Sequence, residues 1–154
     1  MRKFLFVCAL LTVFPGCGST VPETLVTSGY DQSEMEAAIS RAQSEVDAFI
    51  SELQSPTGTD HAVKAPITDG KETEHFWLSD ITYENSQFRG TINNDPGTVT
   101  NVQFGQSWTI AKSEISDWLY MKDGKMYGNY TMRPLLETMP EDEAELYREM
   151  LAEP

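Results

Sequence analysis

The sequence is poor in cysteine and histidine. Its 154 residues contain 2 Cys and 2 His, and no Cys follows Cys17. The chain beyond residue 17 therefore forms no disulfide of its own. Zinc sites usually need three or four ligands drawn from Cys, His and carboxylate side chains. The composition thus gives little support to a disulfide-stabilised scaffold or to a zinc domain.

Basic residues are also scarce. The chain has 11 Lys and Arg against 24 Asp and Glu, a formal net charge of -13 and a pI near 4.4. Such a charge repels nucleic-acid phosphates and anionic lipid headgroups. We therefore expect no nucleic-acid partner and no electrostatic docking to a membrane. A neutral or basic partner is easier to accommodate, and the simplest effect of the charge is solubility.

Long hydrophobic runs are confined to the N-terminus. The run FLFVCALLTVF, Phe4–Phe14, has eleven residues, whereas a membrane-spanning helix needs about 20. It follows Met1-Arg2-Lys3 and precedes Gly16-Cys17, an order typical of an export signal. A small residue before the cysteine resembles the bacterial lipobox, although Phe14 stands where leucine is usual. An ordinary secretory signal is the alternative.

This pattern predicts a signal peptide at residues 1–16 and a lipid on Cys17. Acyl chains such as palmitate would then hold the chain on the membrane, each buried CH2 contributing about 0.8 kcal/mol. The polar stretch 17–32 is predicted to be a tether. Gly18 and Ser19 lack the aspartate that resembles an inner-membrane retention signal. This favours the outer membrane, with the domain facing the periplasm.

Residues 33–154 are predicted to form a single domain that begins with a helix. Ser33-Glu34-Met35-Glu36 has the spacing of a capping box. Apolar residues then recur at helical intervals and predict a helix over 33–54 whose apolar face packs on a sheet. These residues are Met35, Ala38, Ile39, Ala42, Val46, Phe49, Ile50 and Leu53.

Beyond residue 60 the pattern changes to short antiparallel strands separated by turn sequences. The predicted strands are 61–67, 74–84, 87–93, 107–112 and 117–121, the last being the final strand. Simple alternation in the second strand places Trp77 and Ile81 on one face and Phe76 and Leu78 on the other. We also expect Trp77, Trp108 and Trp118 in or beside one core.

A second helix is predicted to open at Pro140 and to end near Ala152. Its apolar face comprises Leu146, Tyr147, Met150 and Leu151. The expected fold class is therefore α+β: an N-terminal helix, a small curved antiparallel sheet or partial barrel, and a C-terminal helix.

Several motifs together resemble one bacterial family. They are VKAPI at 63–67, EHFWL at 74–78, FRGTINNDP at 88–96 and GQSWTIAKSEISDWLYMKDGKMYGNYTMR at 105–133. The set is similar to the domain-of-unknown-function family 2314, also called YegJ-like, over residues 61–139. The first helix and the lipobox lie outside this match. The resemblance implies a compact α+β domain, and it implies no activity and no catalytic residue.

Two arrangements that could carry chemistry are weak. Glu72, Glu74 and His75 could seed a metal site, but Glu74 and His75 are strand neighbours and point to opposite faces. Ser79 shares the strand face of His75, but no third group orients the pair. We therefore predict no catalytic, cofactor or metal residue, and interpret His75 as a satisfied residue at the sheet edge.

The aromatic stretch Ser116–Pro134 contains the better candidates for binding. Most of it is interpreted as core, with an Asp117–Arg133 ion pair that fixes the last segment onto the sheet. A Tyr-rich rim suits contact with a protein or a glycan, and turns at a sheet end collect exposed contacts. The predicted binding surface comprises Asn93, Asn94, Asp95, Tyr127, Asn129 and Tyr130.

Two functions of different classes follow from these patterns. The first is a non-enzymatic envelope lipoprotein that binds an unidentified protein or envelope component. The second is a cell-envelope hydrolase that uses carboxylates, which would be inconspicuous in so acidic a chain. The scarcity of His and the missing triad favour the first.

Overall fold

The computed structural model describes residues 29–153 in full, and the backbone alone of Phe4–Cys8 and Thr24–Val26. Cys17 and most of the predicted signal peptide and tether lie outside the described residues. None of the helices in the described part of the chain has the length and apolar content that a bilayer crossing requires. The fold is α+β, as predicted, with one helix before a mainly antiparallel sheet and another after it.

Helix α1 (Gln32–Gln54) confirms the predicted helix, but its cap differs. The Asp31 carboxylate, rather than Ser33, caps the helix by accepting a hydrogen bond from the Glu34 amide at 2.9 Å. Asp31 precedes the first helical residue and is the right distance from the free amides of the first turn. The predicted apolar stripe faces inward, and its fully buried members are Met35, Ala42, Val46, Phe49 and Ile50.

Eight strands form one sheet in the order β2-β1-β4-β3-β7-β8, with β5 pairing β4 and β6 pairing β5. The pairings are antiparallel except that of β1 with β4. The strands are β1 (Phe4–Cys8), β2 (Thr24–Val26), β3 (Thr59–Asp69), β4 (Glu72–Glu84), β5 (Gln87–Ile92), β6 (Ser107–Ala111), β7 (Asp117–Lys122) and β8 (Lys125–Gly128).

The prediction that residues 117–121 form the last strand is wrong, because β8 follows β7. Asp123 and Gly124 both have positive φ, 51° and 76°. That conformation is the one a two-residue hairpin turn requires, because its twist matches that of the flanking strands. Tyr120 on β7 lies opposite Tyr127 on β8 as a result.

A bulge in β4 overturns the simple alternation predicted there. The pairing of β4 with β5 shifts between Ser79 and Thr82, and Asp80 has a φ of 50°. One extra residue moves the following side chains to the other face. Ile81 therefore joins the core that contains Phe76 and Leu78, while Trp77 lies in a separate core.

The chain after β8 forms a 3-10 segment, Tyr130–Thr138, and then helix α2 (Glu141–Met150). The 3-10 segment was not predicted. Helix α2 agrees with the predicted helix, but Leu146 on its expected apolar face is 52% exposed. Ala144 and Tyr147 are the buried residues of this helix instead, since they lie three positions apart on one helical face.

The core is divided into two clusters. The larger joins the apolar face of α1 to the strands and includes Trp118, with Trp108 packed at its margin. The second joins Trp77 to residues of the 3-10 segment and α2. The prediction of one core for all three tryptophans is therefore wrong. The division follows from the two faces of the sheet, which are covered by different elements.

Candidate ligand-binding cavity

A tight turn between β8 and the 3-10 segment positions the aromatic residues of the site. Gly128 and Asn129 have φ values of 74° and 47°. A Cβ atom on Gly128 would lie 2.2 Å from the Trp118 carbonyl oxygen, so only glycine fits this close approach. The turn brings Tyr130 and Thr131 against two different groups of polar side chains.

The first group is a sealed cluster, comprising Lys64, Asp117 and Thr131, each at most 1% exposed. The Asp117 carboxylate accepts from the Tyr130 amide at 3.2 Å, the Thr131 amide at 2.8 Å and the Thr131 hydroxyl at 2.7 Å. The Lys64 ammonium donates to the same hydroxyl at 2.7 Å. Burial raises the pKa of Asp117, opposed by the charge of Lys64 and the hydrogen bonds from Thr131. The cluster holds the 3-10 segment against β3 and β7.

The second group lines a cavity of about 260 Å³, the Tyr130 cavity. Its aromatic wall contains Trp118, Tyr120, Tyr127 and Tyr130. The rings of Tyr120 and Tyr127 are stacked, with centroids 5.0 Å apart and planes 6° from parallel. Trp118 meets the Tyr130 ring edge-on at 5.6 Å. The cavity thus presents stacked π-surfaces in a fixed geometry.

Two arginines flank the Tyr130 ring at this cavity. The guanidinium carbons of Arg41 and Arg133 lie 4.5 Å and 5.1 Å from the ring centroid, within range of cation–π attraction. The Glu45 carboxylate accepts a short hydrogen bond from the Tyr130 hydroxyl and another from Arg41 Nε at 2.9 Å. Burial and the bond to Glu45 raise the pKa of Tyr130 to about 12. The phenol is therefore a neutral hydrogen-bond donor at neutral pH.

Arg133 is held by backbone carbonyl groups rather than by an acid. Its guanidinium donates to Gly128 O at 3.0 Å, Asn129 O at 3.2 Å and Ala152 O at 3.1 Å. The predicted ion pair with Asp117 does not form, because the Asp117 carboxylate is occupied by the 3-10 segment. Among the described residues, no carboxylate lies within ion-pair distance of Arg133. Burial lowers the pKa of Arg133.

The structure divides the predicted binding residues among different places. Tyr127 and Tyr130 line the Tyr130 cavity. Asn94 and Asn129 are 2% and 3% exposed and support the fold: Asn94 accepts from the Trp77 amide, and Asn129 donates to the Met126 sulfur.

The remaining two residues of the predicted surface lie elsewhere. Asp95 is exposed, and Asn93 lines a different cavity from the two tyrosines. The predicted set is therefore not one continuous surface. That residues of this set bind a ligand remains a prediction.

The second cavity has a volume of about 440 Å³ and is lined by Asp60, His61, Ser79, Asp80 and Asn93, among others. Asp60 and Asp80 have φ values of 55° and 50°, and both lie where strand pairing shifts register. The His61 ring stacks on Tyr120 at 5.6 Å. His61 lines this second cavity and Tyr120 lines the Tyr130 cavity, so the ring pair lies between the two.

The Ser–His contact that forms is not the one considered from the sequence. His75 Nδ1 lies 2.8 Å from the hydroxyl of Ser116 rather than that of Ser79. Both residues are at most 3% exposed, so a substrate has no access to them in this conformation. Burial and the charge of Lys64 lower the pKa of His75 to about 3. The imidazole is therefore neutral.

Glu74, next to His75, is also fully engaged. Its carboxylate accepts hydrogen bonds from the Gly97, Thr98 and Val99 amides at 2.9 to 3.3 Å. It thereby fixes the loop between β5 and β6. Across the described part of the chain, no group of three or more His, Cys, Asp or Glu residues has the geometry of a metal site.

Sequence reasoning missed Arg41, Glu45, Trp118 and Tyr120 as cavity residues. Arg41 and Glu45 are four residues apart on α1 and form an ion pair at 2.9 Å, a spacing visible in the sequence. Nothing in the sequence indicates that this helix pair faces the turn after β8. Glu45 and Tyr130 are 85 positions apart in the chain, so tertiary packing alone joins them.

The chain belongs to the bacterial family described as "Uncharacterized protein conserved in bacteria (DUF2314)", which it matches over residues 32–152. The family predicted from the sequence motifs is thus confirmed. Its extent is larger than the predicted 61–139 and includes α1 and α2.

Two relatives extend this finding. Over 151 residues, the chain is 50% identical to the uncharacterized protein YegJ of Escherichia coli K12, covering 98% of this chain and 99% of the relative. It is 37% identical over 85 residues to a putative ankyrin repeat protein of Neisseria meningitidis serogroup B, covering 53% of this chain and 34% of that relative. No solved structure matches significantly.

Proposed function

We propose that the protein is a lipid-anchored, non-enzymatic binding module of the bacterial envelope, with the Tyr130 cavity as its binding site. The observation that carries the proposal is the convergence of stacked aromatic rings and two guanidinium groups on one small cavity. Aromatic and arginine side chains dominate the energy of recognition sites because they combine apolar area with directional contacts.

The chemistry of the cavity favours binding over catalysis. The Tyr130 hydroxyl has a pKa of about 12 and donates to Glu45, so it is a poor nucleophile at neutral pH. The Ser116–His75 contact is buried away from this cavity. An open set of recognition groups, with the Ser–His pair sealed elsewhere in the fold, suits a module that holds a ligand without transforming it.

A lipid on Cys17 supports the envelope location in this proposal. The n-region, the short apolar run and Gly16-Cys17 favour processing and acylation at that residue. Cleavage before Cys17 would remove β1, and with it the partner of β2 and the parallel neighbour of Thr73–His75. The mature sheet would then consist of β3 to β8, with the Tyr130 cavity intact, because all of its lining residues lie after Gly16.

The anchor is tested by Cys17→Ser. The variant is expected to lose acylation and to leave the membrane fraction, or to remain unprocessed with a slower gel mobility. A variant that incorporates labelled palmitate and fractionates like the parent would refute the anchor. It would leave the cavity proposal untouched.

Binding is tested with the full-length chain, purified in a neutral detergent and immobilised. A soluble digest of bacterial envelopes is passed over it, and retained molecules are identified by mass spectrometry. We expect the parent and Arg148→Gln to retain a common component, and Tyr127→Ala with Tyr130→Ala to lose it. Arg148 is the matched control because it is exposed and pairs with Glu141, outside the cavity. Equal retention by all three proteins would refute binding at this site.

A second candidate, a carboxylate hydrolase, is favoured by one observation. Asp60 and Asp80 line the same cavity, and both adopt a left-handed backbone conformation at a β-bulge. Such strain and such bulges concentrate near active sites. Hydrolysis of a peptidoglycan or peptide substrate that disappears in Asp80→Asn, with unchanged stability, would replace the binding proposal. Absence of turnover in the parent would remove this candidate.

A further inference from the structure

We infer that the Tyr130 cavity recognises a carboxylate group, carried by a small ligand beside a ring or other apolar portion. The inference rests on the proposed function and specifies its ligand chemistry. It draws on the charge at the cavity, the donors left for a ligand, and the shape of the aromatic wall.

The cavity holds two of the few basic residues of an acidic protein, Arg41 and Arg133, whose formal charge is matched by Glu45 and Glu153 in the same lining. The whole chain has 11 basic residues and a net charge of -13, yet the guanidinium carbons of Arg41 and Arg133 both lie near one tyrosine ring, 4.5 Å and 5.1 Å from its centroid. Their mutual repulsion contributes to the lowered pKa of Arg133, for which burial is the larger cause. Two cations held together are stabilised when an anion binds between or beside them.

The carboxylates present make direct contact with only one of the two arginines. Glu45 bonds directly to Arg41 and Tyr130. Glu153 lines the cavity and is exposed. Arg133 has no carboxylate within ion-pair distance among residues 29–153. Arg133 is therefore in direct contact with no carboxylate of these residues, although the charges of Asp117 and Glu153 act on it at longer range.

N–H donors remain for a ligand. Arg41 uses Nε for Glu45 and also interacts with the Tyr130 hydroxyl, and its side chain is 41% exposed, so part of its guanidinium remains accessible. Arg133 uses its terminal nitrogens for three carbonyl oxygens. A guanidinium has five N–H groups in a planar fork that matches a carboxylate. Arg41 is thus the direct partner for the ligand, and Arg133 supplies fixed positive charge.

A monoanion fits this site better than a phosphate dianion. Glu45 and Glu153 line the same cavity as the arginines and would repel a second negative charge. The volume of about 260 Å³ lies just below the usual range of ligand pockets, which begins at about 300 Å³. The size suits one small acidic group with an attached ring, rather than a nucleotide.

The stacked rings provide the apolar half of the site. His61, Tyr120 and Tyr127 form a ladder across β3, β7 and β8, with centroid separations of 5.6 Å and 5.0 Å. The Tyr127 side chain is only partly buried. A flat ligand group placed on this ladder gains stacking energy without ordering a flexible side chain.

The test compares two ligands of the same shape, benzoate and benzamide. They are titrated into full-length protein in a neutral detergent, and the NMR signal of the Trp118 indole N–H is followed. That group donates to Ala42 O and its residue lines the cavity. We expect benzoate to shift the signal saturably and benzamide to bind at least about tenfold more weakly, the effect of losing a charged hydrogen bond.

Three variants assign the effect to the arginines. Arg41→Gln is expected to weaken benzoate binding by about tenfold or more and to reduce the preference over benzamide. Arg133→Lys, which keeps the charge, is expected to retain the preference. Arg148→Gln is expected to bind like the parent. Equal unfolding midpoints of Arg41→Gln and the parent exclude a loss of folding as the cause.

Two further ligand pairs identify the source of the carboxylate. N-acetylphenylalanine is compared with its amide, and glucuronate with glucose. Preference for the first acid indicates a peptide terminus, and preference for the second indicates an acidic sugar. Phenyl phosphate binding more tightly than benzoate would overturn the choice of a carboxylate.

The outcomes separate this inference from the proposed function. Equal binding of benzoate and benzamide, or binding of neither while an envelope digest still shifts the Trp118 signal, overturns the carboxylate inference alone. No shift with any ligand or with the digest overturns both. Benzoate binding that Arg41→Gln leaves unchanged also overturns the inference, because the carboxylate then binds elsewhere.

Discussion

The sealed cluster and the Tyr130 cavity are neighbours in the chain but differ in their access to solvent. Thr131 belongs to the first and Tyr130 to the second. In the sealed cluster, the Asp117 oxygens are fully occupied by donors from the fold. In the cavity, part of the Arg41 guanidinium remains accessible, since its side chain is 41% exposed.

The difference indicates how the burial of a charged group decides what it does. A charge whose hydrogen bonds are all made inside the protein specifies a conformation and stabilises little by itself, since desolvation offsets the attraction. A charge with unused donors at a cavity remains available to a ligand. Directly after the turn at Gly128–Asn129, two consecutive residues take these different roles: Tyr130 lines the cavity and Thr131 belongs to the sealed cluster.

The largest expected effect is on the sealed cluster. Asp117→Ala removes the acceptor for the 3-10 segment and leaves Lys64 buried without its acid, and should lower the free energy of unfolding by about 3 to 5 kcal/mol. Urea denaturation followed by circular dichroism measures it. Asp117→Asn with Lys64→Met should lose less than the sum of the single changes. Additive losses would show that the two residues are not coupled.

Gly128→Ala tests the turn that separates the two regions. The new Cβ would meet the Trp118 carbonyl oxygen at 2.2 Å, at a φ of 74°, and strain of this kind costs about 2 to 3 kcal/mol. We expect lower stability and weaker benzoate binding together. Gly124→Ala is the control, because it has a similar φ of 76° but no atom within 4 Å of the added Cβ. Equal losses in the two variants would mean that backbone conformation, not crowding, sets the cost.

The burial of His75 is expected to make the stability of the fold depend on pH. Its pKa is lowered to about 3 in the folded state from 6.5, so below pH 6.5 the unfolded chain binds the extra proton. Stability should therefore fall as the pH falls from 6.5 towards 3, by about 2 kcal/mol between pH 6.5 and pH 5. Urea titrations across this range measure it. His75→Gln should show a shallower decline over the same window; a decline of equal slope would assign the effect to other groups.

Tyr130→Phe should have the smallest effect on folding. It removes the hydroxyl that donates to Glu45 and keeps the ring between the arginines, which predicts a loss of about 1 kcal/mol. Without that hydroxyl, Glu45 is expected to pair more strongly with Arg41 and to weaken benzoate binding. Thermal unfolding and the NMR titration measure the two quantities. A loss above about 3 kcal/mol would place Tyr130 in the sealed cluster instead.

Local sequence patterns predicted most of the secondary structure because they depend on short-range physics. The apolar spacing from Met35 to Leu53 defined α1, and the residues of β5 and β6 alternate as expected. The same patterns failed where the conformation of one or two residues changes the alternation of side chains along a strand or reverses the chain. The bulge at Asp80 exchanged the faces of β4, and the two positive φ values at Asp123 and Gly124 created β8.

The sequence by itself determined the α+β class, the family and the negative charge, since these depend on composition, periodicity and motifs. It also predicted Tyr127 and Tyr130 as binding residues, and both line the cavity. Only the tertiary structure decided that Arg41 and Glu45 meet Tyr130, and that His75 meets Ser116 rather than Ser79. Contacts between residues 40 to 90 positions apart depend on how sheet and helices pack, and no local pattern encodes that packing.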